Sequence, residues 1–112
     1  MSESVVHRAA IVHQMAVPAG HLTESGDGGW AFTYLPGYSG PPISLTLPLR
    51  PEPYAFRSFP SVFEGLLPEG PQLEALLRTH KIDRSDVFQQ LLTVGADLVG
   101  SLAVFDSNPT SW

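Results

Sequence analysis

Apolar residues follow one spacing in the first part of this chain and another in its second half. Val5, Val6, Ala9, Ala10, Ile11, Val12 and Met15 form a mixed apolar run whose β-branched members predict a first strand over 5–15. Val17-Pro18-Ala19-Gly20 reads as a turn and His21-Leu22-Thr23-Glu24 as a short returning strand. Ser25-Gly26-Asp27-Gly28-Gly29 is rich in residues that tolerate positive φ, and after it Trp30, Phe32 and Tyr34 alternate with Ala31, Thr33 and Leu35. That period of two puts three aromatic rings on one face and predicts a third strand. Seven prolines lie from Pro36 to Pro60 inclusive, and proline cannot donate to a ladder. Only Ile43, Leu45 and Leu47, alternating with Ser44 and Thr46, predict a short strand there; Pro48 to Pro60 reads as an ordered surface loop carrying Tyr54, Phe56 and Phe59.

The period then changes. Val62, Phe63, Leu66 and Leu67 predict a short helix stopped by Pro68, and Pro71 is suited to the first position of a second helix with a Leu73, Leu76, Leu77, His80 stripe. Ser85 is the expected N-cap of a third, with Asp86 complementing its positive end, Val87, Phe88, Leu91, Leu92 and Val94 on its buried side, and Gly95 as its stop. Ser101-Leu102-Ala103-Val104-Phe105 predicts a last strand, and 107–112 reads as a frayed tail. The expected class is α+β: a small antiparallel sheet of about five short strands with two to three short helices packed on it.

Composition narrows the function. A chain of 112 residues with 10 Gly and 11 Pro has room for one domain of short elements, its core expected over about 5–106. The net charge of −5 has the wrong sign for neutralising phosphates or an anionic membrane surface, so no direct nucleic-acid or membrane contact is expected. The absence of cysteine excludes disulfides and thiolate chemistry. Met1-Ser2-Glu3-Ser4 lacks the basic start and apolar run of a leader, and no stretch approaches the ~18 apolar residues of a membrane span, so a cytoplasmic location is expected.

The search for catalytic equipment finds little. His7 and His13 on an unbroken strand would stand roughly 20 Å apart, and neither His21 nor His80 completes a metal-binding spacing. Gly26, Gly28 and Gly29 lack the lysine and helix start of a phosphate cradle. Glu64 and Glu69 are expected to be solvated, or acceptors for a partner's donors, rather than an acid/base couple. A base-stacking role for Trp30, Phe32 and Tyr34 needs a basic groove, whereas the six cations are scattered; an aromatic face under the helices is the better reading. The residues themselves describe a small acidic binding or structural module, with no catalytic residue, metal or cofactor expected.

Three segments, Ser44-Leu45-Thr46-Leu47-Pro48-Leu49-Arg50, Phe63-Glu64-Gly65-Leu66-Leu67-Pro68-Glu69-Gly70 and Gly95-Ala96-Asp97-Leu98-Val99-Gly100, carry a family resemblance. In that order and at those separations they resemble the N-terminal subdomain of the HipA-type serine/threonine kinase toxins, from about Val6 to Phe105, and the middle segment is the most specific. Ser101 departs from an expected alanine, and Val62 from a commoner aromatic. In those kinases a much larger catalytic body supplies the ATP-binding loop, the metal-binding aspartates and the base; these 112 residues include no counterpart of it.

The chain is thus similar to the HipS family, the small components of tripartite HipB–HipS–HipT toxin–antitoxin systems. The resemblance implies an antitoxin that binds and inhibits a HipT-like Ser/Thr kinase toxin, with a HipB-like helix-turn-helix protein joining a larger complex. The expected contact at or near the kinase active site comes from Phe63, Glu64, Leu66, Leu67, Pro68, Glu69, Gly70, Pro71 and Gln72. The prolines would present this loop with little ordering entropy to lose. Phe63, Leu66 and Leu67 read more readily as core residues that fasten the helix to the sheet, and Glu69, Pro71 and Gln72 as interface. Gly95 to Gly100 reads more readily as a helix stop and strand start than as a functional loop, and the aromatic residues of the proline-rich segment are a secondary candidate surface. The alternative function is a non-inhibitory structural subunit bridging the kinase and the HipB-type repressor.

Overall fold

Nine-residue strands at the start of the chain set the frame. The computed structural model describes residues 6–95 and 102–106. Strands β1 (Val6–Gln14) and β2 (Val17–Ser25) form a long antiparallel hairpin. Strands β3 (Trp30–Tyr34) and β4 (Tyr54–Phe56) extend it on one side, and β5 (Leu102–Asp106) pairs with β1 on the other. The resulting order is β4-β3-β2-β1-β5, antiparallel throughout. Helices α1 (Ser61–Glu64), α2 (Pro71–His80) and α3 (Val87–Gly95) stand between β4 and β5 in the chain, which gives the expected α+β class. The predicted tail 107–112 and residues 96–101 lie outside the described residues.

The first hairpin turns earlier than expected. Gln14 pairs with Val17, so the loop is Met15-Ala16, both at positive φ (53° and 68°). Two-residue loops of this mirror-image kind match the twist of the flanking strands. Val17 to Gly20 is therefore strand rather than turn. Its proline is accommodated at a bulge: Val12 faces Gly20 and His13 faces Pro18, leaving Ala19 as the extra residue. Left-handed backbone is unfavourable by roughly 1 kcal/mol or more for residues with a Cβ. Replacing Met15-Ala16 by Asn-Gly is expected to raise stability by about 1 kcal/mol, or about 4 °C or more in Tm. An unchanged midpoint in thermal unfolding would show that the turn is not under this constraint.

The aromatic stripe of β3 lies on the core face as its alternation demands. Phe32 and Tyr34 are buried, and Trp30 packs on Phe88 of α3 at 5.3 Å and edge-on to Phe59 at 5.0 Å. Ala10, Val12, Leu22 and Val104 from the strands meet Phe63 of α1 and Phe88 and Leu91 of α3 in one cluster. Gly95, the last residue of α3, is needed for that approach, because a Cβ there would collide with the Val104 backbone. Leu77 is the buried member of the α2 stripe, with Leu73 and Leu76 half-buried; His80, expected on the same stripe, is exposed.

Asp86, not Ser85, caps α3. Its carboxylate accepts the Gln89 N–H at 3.3 Å while its carbonyl accepts that of Gln90 at 3.2 Å. The same carboxylate accepts Arg8 Nη1 at 2.9 Å, and Arg8 also grips both oxygens of Glu24 at 2.6 and 3.0 Å. Hydrogen bonding to Glu24 first, and then to Asp86, pushes the guanidinium pKa up. Strands β1 and β2 are thereby tied to the start of α3, with the Arg8 guanidinium 5.0 Å above the Phe88 ring.

The expected strand at 43–47 is not formed. Ile43 and Leu47 turn inward while Leu45 points out, a pattern that strand alternation cannot produce. The Leu47 N–H reaches back to Ser44 O at 3.0 Å, closing a turn between Pro42 and Pro48. The fourth strand comes instead from Tyr54–Phe56, inside the segment expected to be loop, where Phe56 pairs with Trp30 and Tyr54 with Phe32. A three-residue edge strand is short enough to discourage pairing with another chain. Prolines lack donors but keep carbonyls, and side chains supply what those carbonyls need. Tyr38 donates to Pro41 O and Tyr54 to Pro48 O, both at 2.6 Å; Gln14 Nε2 donates to Pro42 O at 3.1 Å and Arg50 to Pro53 O at 2.8 Å.

Candidate partner interface

Residues 60–72 make two sharp changes of direction, each imposed by sequence. Pro60 is extended and buried, and its carbonyl accepts the Phe63 and Glu64 N–H groups, both at 3.1 Å, to start α1. One turn is all that forms. Leu66 N–H then bonds Phe63 O at 3.0 Å and Leu67 N–H bonds Glu64 O at 3.1 Å, tightening the chain before Pro68, which has no N–H to continue the series. Gly70 stands at φ 62° and ψ −139°, a backbone region open essentially to glycine alone. Pro71 follows at the first position of α2, and Gly70 O accepts the first helical bond from Glu74 N–H at 3.1 Å.

The nine residues expected to form the contact divide into three groups by burial. Phe63 is 0% exposed, with its ring 5.9 Å from that of Phe32, so it roots the loop in the core. Leu66, Leu67 and Pro68 are half-buried, the two leucines packing against the core cluster. Glu64, Glu69, Gly70, Pro71 and Gln72 are exposed. Among the described residues neither Glu64 nor Glu69 forms a salt bridge, whereas Glu74 on the next turn is held by Arg84 at 2.6 Å. The loop therefore presents two uncommitted carboxylates, an amide and a proline ring on a fixed backbone, a set suited to accepting hydrogen bonds from a basic partner surface.

Other candidates fall elsewhere. No group of three His, Asp or Glu side chains among the described residues is placed to hold a metal. His13 and His21 are half-buried, the His13 ring meeting Phe105 at 4.8 Å. Asp27 is committed to its own turn: the Ser25 hydroxyl donates to it, as does the Gly29 N–H at 3.0 Å, and both pull its pKa down. The aromatics of the proline-rich segment are not free anchors, since Tyr54, Phe56 and Phe59 all pack against the core. Of the Gly95 to Gly100 segment, all but Gly95 lies outside the described residues. The sequence reading missed two cavities of about 530 and 450 Å³ flanking residues 35–41, the first bordered by Met15, Val17 and Tyr38 and the second by Tyr38, Leu49 and Arg50. Pro36-Gly37 and Gly40-Pro41, which force the backbone around these hollows, were the available signal. Among the described residues no helix is long and apolar enough to cross a membrane.

Comparison with known proteins places this geometry in a family. The chain superposes on a solved structure of the N-terminal domain of HipA toxin with a TM-score of 0.73 and 29% sequence identity, covering 97% of this chain and 99% of that one. It is 33% identical over 76 residues to an uncharacterized protein of Haemophilus influenzae, spanning 68% of this chain and 72% of the relative. The family model described as the HipA N-terminal domain matches residues 10–105, so the chain belongs to the HipA N-terminal domain family.

Proposed function

We propose that this protein is the antitoxin of a type II toxin–antitoxin system, and that it inhibits a HipT-like Ser/Thr kinase toxin by contact from the 63–72 region at or near the active site. Membership of the HipA N-terminal domain family supports a component of a HipA-related system, and that domain is a non-catalytic subdomain. The observation that carries the inhibitory reading is the loop itself: exposed Glu64 and Glu69 to Gln72 on a backbone fixed by core-rooted Phe63, Pro68, Gly70 and Pro71. A loop already rigid loses little entropy on entering a cleft, and its carboxylates match the basic groups with which a kinase holds phosphates. The protein works as a single domain in the cytoplasm, and a HipB-like helix-turn-helix protein joins the larger complex and makes the DNA contacts.

The test is phosphorylation of a substrate by the purified kinase, with this protein added in stoichiometric excess. Activity is expected to fall to background and the two proteins to co-elute on gel filtration. Undiminished activity with no complex sinks the proposal. Glu69→Lys combined with Gln72→Trp is expected to restore activity, by about tenfold or more at equal concentration. If that variant inhibits fully and only assembly with the repressor suffers, the protein is a bridging subunit instead.

A further inference from the structure

The Ser44 to Arg50 motif has no part in the contact just proposed, and its geometry is unusual for a surface turn. Ile43 and Leu47 are 7% and 5% exposed, yet Leu45 between them is 98% exposed. The turn that carries it satisfies itself. Thr46 N–H bonds Ser44 Oγ at 3.2 Å, and the Ser44 and Thr46 hydroxyls bond each other at 3.0 Å. Both ends are locked by one buried phenol: Tyr34 accepts the Ile43 N–H at 3.0 Å and donates to Leu47 O. A leucine wholly in water contributes nothing to the fold, and a turn ordered in advance has little freedom to lose on binding.

Area indicates what covers it. A stable complex buries about 800 Å² on each partner, from about 20–30 residues. The exposed part of the 64–72 loop is only Glu64, Gly65, Glu69, Gly70, Pro71 and Gln72, too little to hold a complex alone. The Leu45 turn hangs from the same face of the sheet. Tyr34, its clamp, meets Phe32 edge-on at 4.9 Å, and Phe32 meets Phe63, the root of the loop. No charged residue occurs from Ile43 to Leu49, so a surface complementary to it would be apolar.

We infer that the 43–49 turn is a second docking point for the same kinase, with Leu45 entering an apolar recess outside the active site. The inference rests on the kinase-binding reading and divides the labour within it. The turn supplies affinity and the 63–72 loop supplies occlusion.

The experiment is titration of the purified kinase with the wild-type protein, Leu45→Asp and Val17→Asp, reading Kd by calorimetry and residual kinase activity at saturation. Leu45→Asp is expected to raise Kd by about tenfold or more, with inhibition at saturation and the thermal midpoint unchanged. Val17→Asp, at an exposed apolar residue of β2 outside the turn, is expected to leave Kd unaltered. Failure of the wild-type protein to bind the kinase overturns the parent reading. A wild-type complex whose Kd is untouched by Leu45→Asp overturns the docking point alone. So does a self-association of this chain that Leu45→Asp abolishes without changing kinase affinity, because the turn then serves a second copy.

Discussion

Phe63→Ala is expected to lower the stability of the protein by about 3–5 kcal/mol, the usual loss when a buried phenylalanine leaves a cavity. Phe63 is the one buried residue of α1, a single turn with no side-chain cap, and the neighbours that also pack on the core, Val62, Leu66 and Leu67, are only partly buried. Domains of this size have about 5–15 kcal/mol in total. The variant should therefore stand near the limit of folding, and kinase inhibition should fall with it although the Phe63 ring is wholly buried. Urea unfolding followed by tryptophan fluorescence checks this, since Trp30 sits against Phe59 and Phe88 in the same layer. Phe63→Leu is expected to lose roughly 1 kcal/mol and to inhibit normally at permissive temperature. A stable Phe63→Ala protein that no longer inhibits would falsify the placement of Phe63 as a root and make it a contact residue.

That prediction tests an alternative that the residues alone left open. The spacing of Val62, Phe63, Leu66 and Leu67 showed that a short helix would form, but both a core face and an interface are apolar, so period could not distinguish them. The stripe of Trp30, Phe32 and Tyr34 was legible because aromatic residues repeating with period two directly after a glycine-rich turn favour a strand. Ile43, Leu45 and Leu47 show where the same logic fails. Their alternation looks like a strand, yet proline on either side removed the ladder donors, and Tyr34, distant in sequence, offered the ends of the segment a hydroxyl instead. No local rule anticipates a clamp nine residues away. The strand at Tyr54–Phe56 was hidden for the converse reason: three residues among prolines carry no period, and pairing with Trp30 to Phe32 creates the strand. Within the candidate interface, sequence marked out the loop through Pro68, Gly70 and Pro71. Which of its side chains face outward depends on where Phe63 is buried, a tertiary fact.

Gly70→Ala carries the second large effect, and its origin is backbone conformation alone. A Cβ at this position would meet nothing within 4 Å, so there is no clash to relieve. With φ at 62° and ψ at −139°, however, an L-residue is held in a sparsely populated region at a cost of about 1–3 kcal/mol. The chain can escape that strain only by re-aiming the stretch between Pro68 and α2, which moves Glu69 and Gln72. Stability and inhibition are therefore expected to fall together, with Kd for the kinase rising by about tenfold. D-alanine separates this cause from any effect of the added methyl group. For a D-residue the same angles are the mirror image of the relaxed polyproline II conformation of an ordinary L-residue. A protein assembled by chemical ligation with D-Ala at position 70 should thus be more stable than the wild type by about 0.4–1 kcal/mol, because the unfolded chain loses freedom that glycine allows it. It should also inhibit at least as well, since the loop is held in the same place. Equal destabilisation by both enantiomers would mean that the methyl group, and not the left-handed backbone, decides how the loop is presented.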